Sequence, residues 1–293
     1  MRLLLFGTTG QLGWELNRIL PTLGELTALD YPDIDFSRAE SVRQVIRSIR
    51  PHVIVNAAAF TAVDRAENEP DSVYAINSDA PGIIASEAKA IGSAFVHYST
   101  DYVFDGTKGE PYTEQDTPNP INVYGKSKLA GEQAIEQTGG SYLILRTSLL
   151  YSLRGESFVT NVLKWSRQQE TMRIVTDQVS NPTWCRMLAE VTTQVLASGH
   201  RDIAGWLAER SGMYHCAGDG YASRFEWARE ILKHDPHRKE QVVKSLQAAQ
   251  TADFPTPAQR PLFSALNCDH FHSSFKMRLP DWKYAMKLAM NNS

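Results

Sequence analysis

Two groups of residues have the types and spacing to do chemistry. The first is Tyr124-Gly125-Lys126-Ser127-Lys128. Residues four apart on a helix share a face, so Tyr124 and Lys128 would project together. A free tyrosine, with a pKa near 10, is a poor proton donor or acceptor at neutral pH. A neighbouring ammonium favours the phenolate, and lowering the pKa by about 3 units corresponds to about 4 kcal/mol. That arrangement suits Tyr124 to general acid–base work. Upstream, Ser99-Thr100-Asp101-Tyr102 offers the Thr100 hydroxyl as a partner for a substrate carbonyl oxygen. The second group is Gly7-Thr8-Thr9-Gly10-Gln11-Leu12-Gly13. Gly7 lets the chain turn sharply, Gly10 lets backbone approach a pyrophosphate, and Gly13 lets a helix pack on a strand. The N–H groups opening that helix, beginning with Gln11 and Leu12, face a phosphate naturally.

Those residues need elements to position them. Leu3–Phe6, Glu25–Asp30, Val53–Asn56, Ala94–Ser99 and Tyr142–Arg146 read as short buried strands. The stretches Ala39–Ile49, Asp71–Ile91 and Tyr124–Gln137 between them are long enough for helices. Apolar strands alternating with helices predict an α/β fold, a Rossmann-type doubly wound parallel sheet over residues 1–150. Arg173–Val175 and Met213–Cys216 are expected as later strands of the same sheet. After about residue 150 the alternation weakens and prolines crowd into Phe254-Pro255-Thr256-Pro257-Ala258-Gln259-Arg260-Pro261. Residues 151–293 are therefore expected to form a smaller, mixed α/β substrate-binding unit at the strands' carboxyl ends, with some segments returning to the sheet. The glycine loop follows a strand and opens a helix, the context a dinucleotide site requires. Asp30 closes the second strand, where a carboxylate accepts from ribose hydroxyls and repels a 2′-phosphate. The cofactor expected is NADH or NADPH, with the preference towards NADH.

Composition removes other classes. Thirty basic against 33 acidic residues give a net charge of -3, which leaves no electrostatic footprint for nucleic acid or an anionic membrane. No apolar stretch approaches the roughly 18 residues of a membrane span. The segment Met1–Phe6 is too short for a signal peptide. Three widely spaced cysteines, Cys185, Cys216 and Cys268, fit reduced thiols and a cytoplasmic protein.

The chain resembles the extended short-chain dehydrogenases/reductases and, more narrowly, the RmlD family of dTDP-4-dehydrorhamnose reductases. The features that carry the resemblance are Gly7-x-x-Gly10-x-x-Gly13, Asn56-Ala57-Ala58-Ala59, Ser99-Thr100-Asp101-Tyr102-Val103-Phe104, Asn122-Val123-Tyr124-Gly125-Lys126-Ser127-Lys128 and Pro255–Pro261. Dehydratases of the superfamily carry Thr-Asp-Glu at the fourth strand's end; here Tyr102 stands where the glutamate would be, which disfavours water elimination. The resemblance implies hydride transfer from NAD(P)H to the C4 ketone of dTDP-4-dehydro-L-rhamnose. In that reaction Tyr124 would donate the proton, Thr100 would polarise the carbonyl, and Lys128 would hold the nicotinamide ribose. Asn56, Ala57 and Ala58 would lie against the cofactor, and Asp101 against the sugar. Arg260 would pair with the diphosphate, a surface salt bridge being the equal alternative. A related nucleotide-sugar 4-ketoreductase or 4-epimerase and a non-catalytic reductase-like subunit stay open.

Two departures from the family stand out. Relatives often have tryptophan after Arg-Thr-Ser, at the sugar; here Leu149 follows Arg146-Thr147-Ser148. Some relatives form homodimers bridged by magnesium on acidic residues of the first helix and the tail. Glu15 is present here, but the tail reads Asn291-Asn292-Ser293, so no metal site is expected and a homodimer stays open. His270 and His272 are expected on a surface loop, and Trp227, Trp282, Cys185 and Cys216 in packing roles.

Overall fold

A computed structural model describes residues 1–291. Six parallel strands form the central sheet: β1 (Arg2–Phe6), β2 (Glu25–Leu29), β3 (Val53–Asn56), β4 (Ala94–Thr100), β5 (Tyr142–Thr147) and β6 (Gly212–His215). Their spatial order is β2-β1-β3-β4-β5-β6, so the winding reverses between β1 and β3. Ligands of open α/β sheets bind in the crevice at that reversal, outside the strands' carboxyl ends.

The strands read as unbroken apolar runs because both faces are covered. Leu3, Leu5, Val55, Val96 and Leu143 pack on one side with Leu12 and Leu16 of α1 (Gln11–Ile19) and Leu188 and Val195 of α5 (Cys185–Ser198). Leu4, Phe6, Ile54, Phe95 and Ile144 pack on the other with Val42 and Ile46 of α2 (Ala39–Ile49) and Ile84 and Ala88 of α3 (Ala80–Ile91). The catalytic-motif helix α4 (Val123–Thr138) begins where the Asn122 side chain accepts from Gly125 N at 2.8 Å, an N-cap.

Residues after 150 build a second apolar cluster from Tyr151, Val159, Val162, Met172, Ile174, Ile231, Met286 and Trp227 of α6 (Arg224–His234). α6 starts on a reciprocal Ser223–Glu226 capping box. Two expectations need correction. Thr171–Val175 does not join the central sheet; it pairs in parallel with Ser245–Ala249 in a separate two-stranded ribbon. The helix expected over 71–91 is broken into Pro70–Tyr74, a π turn over Ala75–Asp79, and α3. At that turn buried Asn77 donates to Phe60 O and Ser127 Oγ, both at 3.1 Å, and accepts from Phe60 N at 2.8 Å. The widened turn thereby brings backbone against α4 at Gly131, where a Cβ would overlap the Asn77 carbonyl.

Among the described residues no helix is long and apolar enough to cross a membrane. His270 lies on a short helix (Asp269–Phe275), not a loop, and stacks on Tyr214 with ring centroids 4.7 Å apart. Trp227, Trp282, Cys185 and Cys216 are buried.

Candidate active site

Two adjoining hollows occupy the carboxyl ends of the strands. The inner cavity, about 420 Å3, runs from Gly10, Gln11 and Leu12 past Ala57 and Ala58 to Thr100, Tyr124 and Lys128. An outer cleft of about 1000 Å3 continues from Leu149 to Arg260, Arg224, Phe158 and Trp165. Leu149, at the junction, holds a left-handed backbone (φ 42°), unusual for a branched apolar residue and placed where two ligands would meet.

The glycine loop is shaped for a dinucleotide. Gly7 has φ 86° and lies so close to Ala57 and Ala58 that no side chain fits, and a Cβ on Gly13 would overlap the Gly7 carbonyl. Gly10, in contrast, meets nothing nearer than Gly7 O at 3.5 Å, so its open face turns to the cavity. Asp30 Oδ2 accepts from Thr9 N at 2.8 Å and Thr9 Oγ1 at 2.6 Å, and Oδ1 accepts from Tyr31 N at 2.8 Å. It therefore fixes the loop. Two buried hydroxyls beside the cavity, Ser99 and Thr147, have no partner among the described residues, as a groove awaiting polar ligand atoms would have. These residues fit a nicotinamide dinucleotide.

The acid–base group is assembled by β4 and α4. Tyr124 and Thr100 are brought within hydroxyl-to-hydroxyl reach. Thr100 Oγ1 accepts from Tyr102 N at 3.1 Å and donates to Asp101 Oδ1 at 3.2 Å. Lys128, 1% exposed, donates to the Tyr98 carbonyl at 2.6 Å and meets His97 Nε2 at 3.0 Å. Burial lowers its pKa to about 8, against the upward pull of Glu132 one turn further along. Lys128 does not lower the Tyr124 pKa as the sequence suggested: burial pushes Tyr124 upward, because the amine is turned to His97 and the β4 carbonyl. Tyr124 is accordingly a neutral phenol, set to donate.

Several residues expected at the ligands also engage their side chains within the protein. The Asn56 side chain faces inward, with Nδ2 3.2 Å from His97 Nδ1 and Oδ1 accepting from Ala58 N at 3.1 Å; Ala57 and Ala58 line the cavity in its place. Gln11 Oε1 accepts from Ser152 N at 2.7 Å and Ser152 Oγ at 3.0 Å, tying the glycine loop to the later half of the chain. Asp101, expected at the sugar, is 2% exposed. Its carboxylate accepts from Ser180 Oγ at 2.8 Å and Ser264 Oγ at 2.6 Å, and Ser180 bonds onward to Ser148. Burial raises the Asp101 pKa while these hydroxyls oppose the rise. Arg260 forms the salt bridge of the second reading: its fork grips Asp64 through two 2.6 Å bonds, and the pair lines the outer cleft.

Sequence reasoning missed His97, Tyr102 and Arg224. His97 is an inward polar residue on an otherwise apolar strand, and Tyr102 sits edge-on to Tyr124 with centroids 5.8 Å apart. Glu15 is half-buried beside Arg18, Arg186 and Glu190, and burial raises its pKa. Among the described residues no cluster of three metal-ligating side chains occurs; Asn292 and Ser293 lie outside them.

An open parallel sheet with a glycine loop at its reversal, and a tyrosine and a lysine four apart beside a strand-end threonine, defines a short-chain dehydrogenase/reductase. The model of the RmlD substrate binding domain matches residues 1–293. A dTDP-4-dehydrorhamnose reductase of Burkholderia thailandensis is 40% identical over 295 residues, covering 100% of this chain and 99% of the relative. The crystal structure of a dTDP-4-dehydrorhamnose reductase of Clostridium acetobutylicum superposes with TM-score 0.91 at 33% identity, covering 100% of this chain and 99% of that one. A dTDP-4-dehydrorhamnose reductase of Bacillus anthracis, solved in complex with NADP, superposes with TM-score 0.90 at 31% identity, covering 100% and 99%. The chain belongs to the RmlD family.

Proposed function

We propose that this enzyme reduces the C4 ketone of dTDP-4-dehydro-L-rhamnose to dTDP-L-rhamnose, with residues 1–150 holding NADH or NADPH and residues 151–293 supplying the sugar-nucleotide side. The observation that carries the reading is the meeting of the Tyr124 and Thr100 hydroxyls in a cavity that begins at the glycine loop. When bound, a reduced nicotinamide supplies the hydride that the ketone carbon takes up. Tyr124 donates its proton to the oxygen that becomes the C4 hydroxyl, and its neutral phenol form is the one burial favours. Thr100, held by Tyr102 N and Asp101, directs its hydroxyl to the same oxygen. Lys128 stands beneath this pair, where a ribose hydroxyl can draw it from His97, and its charge then stabilises the phenolate Tyr124 leaves behind. Asp30 favours NADH, since its carboxylate occupies the ribose end of the groove. Three free cysteines fit a reducing compartment, and we place the enzyme in the cytoplasm.

The test is oxidation of NADH and of NADPH on freshly generated dTDP-4-dehydro-L-rhamnose, with the product identified by NMR. Tyr124→Phe should lower kcat about a hundred- to ten-thousandfold and leave cofactor affinity unchanged. A variant retaining a tenth of wild-type kcat would remove Tyr124 as the proton donor.

A further inference from the structure

The inner end of the outer cleft carries an excess of positive charge. Arg224, the first residue of α6, and Arg260 both reach the Tyr102 hydroxyl, and only Arg260 has a carboxylate, Asp64. The other charges lining the cleft are spent or solvated: Arg173 pairs with Asp253 at 3.0 Å, and Glu156 is exposed. Arg224 has no carboxylate partner among the described residues. Its guanidinium lies over the Phe158 ring at 4.8 Å and the Trp227 ring at 5.7 Å. A guanidinium stacked on aromatic faces is fixed in plane, with its N–H edge free for an acceptor.

Position selects the acceptor. Tyr102 lies between Arg224 and Tyr124, and Leu149 borders both hollows, so Arg224 lines the cleft on the far side of Tyr102 from the reacting hydroxyl. A hexose with C4 at Tyr124 carries its anomeric oxygen, and the phosphate on it, at the opposite side of the ring, towards the outer cleft. Arg224 is half-buried and lines the cleft, so its charge faces the space a ligand would fill, and burial depresses its pKa. The Arg224 fork meets a phosphate's oxygens with charge-assisted bonds, and Trp165 and Phe254, also lining the cleft, offer faces for a base.

We propose that Arg224 is a substrate-binding residue that grips the sugar-proximal phosphate of a nucleoside diphosphate sugar, with Tyr102 held between it and the Asp64-paired Arg260. This assignment rests on the nucleotide-sugar reading and adds to it the residue that sorts diphosphates from other ligands.

The experiment is calorimetric titration of the full chain, saturated with NADPH, with dTDP, thymidine and inorganic phosphate. Wild type should bind dTDP well above thymidine. Arg224→Gln should weaken dTDP about ten- to a hundredfold, the worth of one or two charge-assisted bonds, and leave thymidine within twofold. Arg224→Lys, which keeps the charge without the fork, should recover part of the loss. The KM for the keto-sugar should rise in step, while NADPH affinity and Tm hold. Arg224→Gln binding dTDP within twofold of wild type would overturn the clamp alone, as would equal loss of thymidine, the mark of a packing role. Inorganic phosphate binding as tightly as dTDP would overturn the nucleotide assignment. Wild type binding no dTDP would overturn the substrate reading together with the clamp.

Discussion

Glu132 and Arg146 make a buried ion pair, each 1% exposed, joined by Nε–Oε1 at 2.9 Å and Nη2–Oε2 at 2.6 Å. Arg146 also lies over the Phe104 ring at 5.1 Å, and its Nη1 has no partner among the described residues. Glu132 is one turn beyond Lys128 on α4, and Arg146 precedes Thr147 on β5, so the pair clamps the catalytic helix to the sheet. Removing one member leaves the other charged and buried, which costs about 3–5 kcal/mol; removing both costs far less. Glu132→Gln keeps the shape and one acceptor, so we expect about 3 kcal/mol, and about 4 kcal/mol for Arg146→Met. The double variant Glu132→Leu/Arg146→Met should fall within about 2 kcal/mol of wild type. Chemical denaturation gives the energies. In a thermal melt, at about 2–4 °C per kcal/mol, Glu132→Gln should lose about 6–12 °C. Single variants each costing under about 1 kcal/mol, or a double variant showing the full sum of the singles, would refute the argument.

Three further outcomes follow from the site. If the charged form of Lys128 is the active one, kcat/KM should fall about tenfold per pH unit above about 8, because deprotonation removes the ammonium. Glu132→Gln should move that limb to lower pH, since the carboxylate raises the Lys128 pKa; a limb unmoved by the variant would separate it from Lys128. Gly13→Ala should abolish binding of both cofactors in a fluorescence titration, as its Cβ overlaps the Gly7 carbonyl and forces α1 off β1; affinity within threefold of wild type would contradict that geometry. Asp30→Ala should weaken NADH more than NADPH, since the change also removes a charge opposed to a 2′-phosphate; equal losses would reduce Asp30 to its structural bonds with Thr9.

The central sheet was legible because parallel strands buried on two faces write themselves as short apolar runs, as Leu3–Phe6 and Val53–Val55 do. Partner choice is not written that way. Arg173–Val175 has the composition of a central strand, yet its partner is Ser245–Ala249, some 70 residues on. The break in the helix over 71–91 was equally silent, because its cause is Asn77 bonding to Phe60 and Ser127 from other parts of the chain. In the site, Tyr124 and Lys128 could be read because their relation is local, one turn of one helix. His97 against Lys128 and Tyr102 against Arg224 are meetings between elements, and no local spacing encodes them.

Motif membership also proved a poor guide to what a side chain touches. Gln11, Asn56, Asp101 and Arg260 all belong to segments that define the family, yet each side chain is engaged within the protein. Their bonds have a common direction. Gln11 reaches Ser152, Asp101 reaches Ser180 and Ser264, Asn122 reaches the Gln259 carbonyl at 2.8 Å, and Asp64 reaches Arg260. Each joins the first 150 residues to the rest of the chain, and Gln11, Asp101, Asp64 and Arg260 line the two hollows. The two parts share the apolar cluster that packs α5 on the sheet, and around the ligand space these oriented polar bonds join them as well. Apolar contacts are non-directional and tolerate sliding, whereas a hydrogen bond fails within a fraction of an ångström. Placing the directional bonds at the rim holds Thr100 and Tyr124 in register with Leu149 and Arg224 across the cleft. Loss of such a strut should therefore misplace the sugar ring relative to Tyr124 before it unfolds the chain.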